Sequence, residues 1–171
     1  MRIPVPAALA LAAVLVLGLP TGARAGDDLA DLAAATEEAR TILQTERKLL
    51  VSQGMALSAG QSSAFWPVYD RYLLDLKAAG DLRVKVITDY AANYGNLSDD
   101  KARQLVGDYL AYQEKVLKIR KGYLRKFRKV LSEVELARLY QIENKLDAVT
   151  NFVLADQIPL VPDAPSPAPG R

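Results

Sequence analysis

The chain of 171 residues contains no cysteine and no histidine. Without thiols it has no disulfide, no thiolate nucleophile and no cysteine to carry a lipoprotein anchor. Without imidazole it lacks the side chain that titrates near neutrality and the usual zinc and copper ligand sets. No histidine is present to activate a serine, and the serines beyond residue 26 fall largely at helix starts or in the tail. Gly54, Gly60, Gly80, Gly95, Gly107 and Gly122 are scattered singly, so no glycine-rich phosphate loop exists among them. Acidic pairs such as Glu37-Glu38 and Asp99-Asp100 sit in helix first turns or on polar faces, and nothing places two carboxylates across a cleft. These absences point away from an enzyme, and no cofactor or metal is expected.

Charge of one sign is also scarce overall. Lys plus Arg is 22 and Asp plus Glu is 20. Arg2 and Arg24 lie in a segment that reads as removable, and without them the signs balance at 20 each. Net charge therefore gives no general case for binding nucleic acid or an acidic membrane.

Residues 1–25 have the pattern of a cleaved secretory signal peptide. Arg2 supplies the basic start, and Ala7 to Leu19 is an uncharged run of 13 residues. Ala23-Arg24-Ala25 places small residues where a signal peptidase needs them, which would leave Gly26 as the new N-terminus. The rival reading is a membrane anchor. Thirteen helical residues span about 20 Å, against about 30 Å of hydrocarbon core. The expected location is the periplasm, without an integral anchor. A chain free of cysteine suits that compartment.

From Gly26 the pattern predicts one all-α domain over 26–158, followed by a disordered tail over 159–171 with five prolines in 13 positions. The first helix follows Asp27, Asp28 and Asp31 and runs through Leu32, Ala35, Ala39, Ile42, Leu43, Leu49 and Leu50 to a stop at Gly54. The second follows Ser58, with a stripe at Phe65, Tyr69, Tyr72, Leu76, Ala79, Ile87, Tyr90 and Tyr94 and a kink expected at Pro67. The third follows Ser98. Ala102, Val106, Tyr109, Gln113, Val116, Tyr123, Phe127 and Val130 give it a near-heptad stripe. The fourth follows Ser132, runs through Leu136, Leu139, Leu146, Val149 and Val153, and stops before Pro159. No segment alternates with period two, so no strand is expected. Helices near 59–94 and 99–130 would each be about 45–50 Å long. So short a chain with such long helices should form an elongated, antiparallel, hairpin-like layer, and a second copy would cover its apolar surface. A homodimer is therefore expected. Phe65, Trp66, Tyr69 and Tyr72 fit core and dimer seam by spacing, with a client-binding role for some of them as the alternative.

Two helix starts share a pattern. In Leu57-Ser58-Ala59-Gly60-Gln61, the Ser58 hydroxyl can cap the helix while Gln61 reaches back, a capping box. Leu131-Ser132-Glu133-Val134-Glu135 repeats it, and Leu131 can staple onto Leu136. Leu97-Ser98-Asp99-Asp100-Lys101 has the cap without the box. Taken singly these are ordinary helix starts. Together, in an exported helical chain, they resemble the two LTXXQ motifs of the periplasmic Spy/CpxP-like group, with Ser for Thr in both and Glu135 for Gln in the second. The segments Phe65-Trp66-Pro67-Val68-Tyr69-Asp70 and Tyr140-Gln141-Ile142-Glu143-Asn144-Lys145-Leu146-Asp147 resemble secreted proteobacterial proteins of no assigned role. The likeness spans roughly residues 36–161. It implies an all-helical cradle, often dimeric, acting as an ATP-independent chaperone or as a modulator of the envelope stress response. Metal binding, known in some relatives, does not carry over to a chain without His or Cys.

Residues 115–129 hold Lys115, Lys118, Arg120, Lys121, Arg125, Lys126, Arg128 and Lys129 and no acid. Seven of the eight fall in an arc of about 160°, and Val116, Ile119, Tyr123, Phe127 and Val130 oppose them over about 80°, with Arg120 among them. One reading is a solvated basic face partly neutralised by neighbouring acids. The sharper one is a surface for clients or a partner, formed by Lys118, Lys121, Arg125, Arg128 and Lys129 with Phe127, where long cationic stems beside aromatic rings hold flexible acidic segments. Nucleic-acid binding suits the charge but not an exported protein. Arg120 calls for an ion-pair partner, with Asp89 and Glu143 as candidates. Two functions follow: a holdase for unfolded or stress-exposed clients, or an accessory protein docking one envelope stress sensor or other envelope protein.

Overall fold

The computed structural model describes residues 45–162. The proposed leader, most of the first expected helix (Leu32 to Leu43) and residues 163–171 of the tail lie outside the described residues. Among those described there are four α-helices, one short 3₁₀ turn and no strand, so the fold is all-α. Helix α1 covers 45–55, α2 Ala59–Asn93, α3 Asp99–Phe127 and α4 Glu133–Gln157, and the 3₁₀ turn Tyr94–Asn96 joins α2 to α3. No described helix is long and apolar enough to cross a membrane.

The start of α2 has the predicted chemistry. The Ser58 Oγ accepts the Gln61 N–H at 3.3 Å, and the Ser58 N–H donates to Gln61 Oε1 at 3.2 Å. Ser98 caps α3 by accepting the Lys101 N–H at 3.3 Å, with Asp99 and Asp100 in the first turn where the helix dipole favours acid. α4 begins at Glu133, directly after Ser132, which puts Glu135 at its third position. α2 continues through Pro67 without interruption. Ser58→Ala removes the acceptor for a helix N–H and is expected to lower stability by about 1 kcal/mol. An unchanged urea midpoint would contradict that.

Contacts divide the described residues into two compact units, one joining 45–57 to 133–159 and the other comprising 58–132 with 160–162. In the first, Val51 and Met55 of α1 and Leu136 and Leu139 of α4 are buried. Gly54 is not the expected helix stop. α1 continues to residue 55, and a Cβ at Gly54 would lie 2.5 Å from Ile142 Cδ1, so the glycine permits close approach of the two helices. The chain instead leaves α1 at Ala56, with a φ of 48° in the left-handed region. Arg47 reaches Glu143 Oε2 and Asp147 Oδ1, each at 2.9 Å. Glu143 is only 2% exposed, so the guanidinium supplies counter-charge to a carboxylate largely shut off from water. Arg47→Met is expected to cost about 2 kcal/mol by urea denaturation, below the value for a fully enclosed pair because Arg47 keeps some contact with water. Replacing Glu143 by Leu in the same chain should recover part of the loss, and no loss in the single variant would refute this account.

The second unit is an antiparallel helical hairpin of α2 and α3. Its core is aromatic. Phe65, Tyr69, Tyr72, Tyr123 and Phe127 are each at most 3% exposed. Phe65 stacks on Tyr69 with centroids 5.3 Å apart, and Tyr72 meets Tyr123 at 5.3 Å across the hairpin. The Tyr123 hydroxyl donates to Asp75 Oδ2 at 2.7 Å. Burial first, and then that bond to a carboxylate, push the Tyr123 phenol up to about 12. Towards the tip, Asp89 receives Lys85 at 2.8 Å and Lys101 at 3.1 Å, and these hydrogen bonds hold its carboxyl below the usual range.

Burial departs from the predicted stripes in both helices of the hairpin. In α2 it is confined to 65–79 and includes Leu73, while Leu76, Ile87 and Tyr90 are half-buried and Tyr94 is exposed. In α3 the buried face runs through Leu105, Tyr123 and Phe127, whereas Val106 and Tyr109 are 61% and 42% exposed. For Val106 the reason is periodicity: a strict seven-residue stripe drifts by about 20° per heptad on a straight helix, so one that faces the core at Phe127 has turned aside by Val106.

Candidate functional site

The aromatic core fixes the rotation of α3 about its axis. With Tyr123 and Phe127 held inward against Phe65 and Tyr72, the residues opposite them on the wheel must face outward. Lys118, Lys121, Arg125 and Lys129, spaced by three and four residues, share that outward arc, and all four are exposed. None of the four forms an ion pair with a described residue, since the ion pairs near the hairpin tip engage Lys85, Lys101 and Arg103 instead.

The other cations of the segment differ. Lys115 leans across to the Ala78 carbonyl of α2 at 3.5 Å. Lys126 lies over the Tyr123 ring, with Nζ 3.9 Å from the centroid, a cation–π contact that ties it to the core edge. Arg120 is half-buried, as its place on the wheel predicts. Arg128 is exposed and caps the C-terminus of α3, its N–H donating to the Leu124 carbonyl at 3.0 Å. Phe127 does not belong to the outward surface. It is 1% exposed and packs among Phe65, Tyr72 and Tyr123, so it supports the basic arc from beneath. The same holds for Phe65, Tyr69 and Tyr72, which are core, while Trp66 is half-buried.

Electrostatics separates the cations further. Arg125 lies in the last turn of α3, where the helix dipole favours positive charge. Lys118 and Lys121 stand before that turn and gain little from it. Four like charges within 12 residues repel one another, and nothing in the hairpin accounts for their grouping. Chemically, such an arc offers mobile ammonium and guanidinium donors on apolar stems to an acidic ligand.

Sequence reasoning missed a second feature of α3. Val106, Leu110 and Leu117 are 61%, 52% and 52% exposed and lie beside the basic arc rather than in the core. The spacing of Leu110, Leu117 and Leu124 by seven residues was the available signal. Comparison with protein-family models, curated proteins and solved structures finds no match for the chain.

Proposed function

We propose that this chain is an exported, periplasmic, ATP-independent holdase that works as a homodimer and holds unfolded or stress-exposed proteins on the outward arc of α3. The observation that carries this reading is the group Lys118, Lys121, Arg125 and Lys129, exposed and without ion pairs among the described residues, in a chain whose charges balance at 20 of each sign once Arg2 and Arg24 are set aside. The leader pattern of residues 1–25 and the likeness of Leu57-Ser58-Ala59-Gly60-Gln61 and Leu131-Ser132-Glu133-Val134-Glu135 to LTXXQ motifs support the setting. Flexible cations accept many acidic segments without demanding one geometry, which suits a binder of varied clients. Long-range attraction speeds encounter and is screened over about 10 Å at 0.1 M salt.

An aggregation assay tests the reading. The protein starting at Gly26 should slow the aggregation of several unrelated denatured proteins, and less so as salt rises. Protection of none of them, together with recovery of one envelope protein as a stoichiometric complex, would replace the holdase with a dedicated accessory protein.

A further inference from the structure

The exposed apolar residues of α3 form a patch. At 100° per residue, Val106, Tyr109, Leu110, Gln113 and Leu117 fall within one arc of about 100° that bridges the core face, at the angle of Phe127, and the edge of the basic arc, at the angle of Arg128. Four of them are large apolar residues at 42–61% exposure. Single exposed leucines need no explanation, but a contiguous group along three turns of one helix does. Their steps of three and four residues match the seam of a two-helix coiled coil.

Charge along the same helix says what fits the patch. Residues 99–114 carry four acids, Asp99, Asp100, Asp108 and Glu114, against two bases. Residues 115–129 carry eight bases and no acid. The patch straddles the boundary between these halves. A parallel copy would lay Arg128 on Arg128 and Asp99 on Asp99. An antiparallel copy, with the two-fold axis passing near Gln113, sets Arg128, at the edge of the basic arc, beside Asp99 of the second copy while the apolar residues meet in the middle and Lys118, Arg125 and Lys129 stay outward. Asp99 and Arg128 lie on the same arc as Leu110 and Leu117, and are equally far in sequence from the midpoint of 113 and 114. On this side of α3 a flexible acidic segment would meet Arg128 but leave Asp99 unmatched, whereas a second copy pairs both. We infer that the side of α3 bearing Val106, Leu110 and Leu117 is an isologous interface, pairing antiparallel with the same helix of a second copy. This rests on the homodimer reading and specifies its surface.

The absence of native cysteine makes the test clean, because any disulfide-linked dimer reports an introduced thiol. Protein from the periplasmic fraction is measured by light scattering at tens of micromolar. The wild type should give a dimer mass. The Leu110→Glu, Leu117→Glu double variant should give a monomer with unchanged helical circular dichroism, since both residues are exposed and carry little of the fold. Under mild oxidation Gln113→Cys should form covalent dimer at least tenfold faster than Arg103→Cys, whose thiols would stand about 30 Å apart in an antiparallel pair. A monomeric wild type would overturn both the homodimer and this interface. A dimeric double variant, or equal cross-linking at 103 and 113, would overturn the interface while leaving the homodimer in place.

Discussion

Phe127→Ala is expected to lower the stability of the protein by about 3–5 kcal/mol, the cost of removing a buried aromatic ring and leaving a cavity. The ring is 1% exposed and has three aromatic neighbours, with centroids 5.8 Å away at Phe65, 5.6 Å at Tyr72 and 5.9 Å at Tyr123. Contacts of this kind contribute about 0.5–1.5 kcal/mol each beyond the area they bury. Domains are stable by only about 5–15 kcal/mol, so the loss should be visible as partial unfolding at physiological temperature. Phe127→Leu keeps most of the volume and should cost much less. Urea denaturation checks both variants, with the slope of the transition unchanged if only the folded state is affected. A shift below about 1 kcal/mol for Phe127→Ala would mean that the hairpin does not depend on this cluster. The outcome also bears on function. A core residue that lies under the basic arc should change stability, whereas a client contact should change protection and leave stability alone.

The local chemistry of this chain was open to reading, and its long-range chemistry was not. The Ser58 and Ser98 caps depend on residues three apart, so the sequence displays both partners side by side. The basic arc was equally visible, since like charges at helical spacing share a face wherever the helix is placed. Which cations are engaged depends on tertiary placement. Lys126 rests on Tyr123 and Lys115 reaches α2, while Lys118 and Lys121 do neither. Phe127 was assigned to the binding surface although the wheel sets it on the apolar side: that this side is closed core, and not an open flank of the basic arc, follows only from the contacts of Phe65 and Tyr72. The pairing of Arg47 with Glu143 joins residues 96 apart, and no local pattern announces it. Gly54 looked like a stop because glycine commonly ends helices, but the approach of Ile142 gives it a different use. The apolar flank at Val106 was folded into the core stripe because periods of 3.5 and 3.6 residues separate only over several turns.

The central claim is that the outward cations of α3 do the holding. A variant with Lys118, Lys121, Arg125 and Lys129 all changed to Gln tests it most directly. All four are exposed, and exposed charges contribute little to folding, so the urea midpoint should stay within about 1 kcal/mol of the wild type and helical circular dichroism should be unchanged. The measurement is light scattering from aggregating client proteins at low and high salt. The account predicts that the wild type protects at low salt and less at high salt, and that the variant loses most of the protection at both. A folded variant that protects clients as well as the wild type does would contradict the account and reduce residues 115–129 to a solvated face.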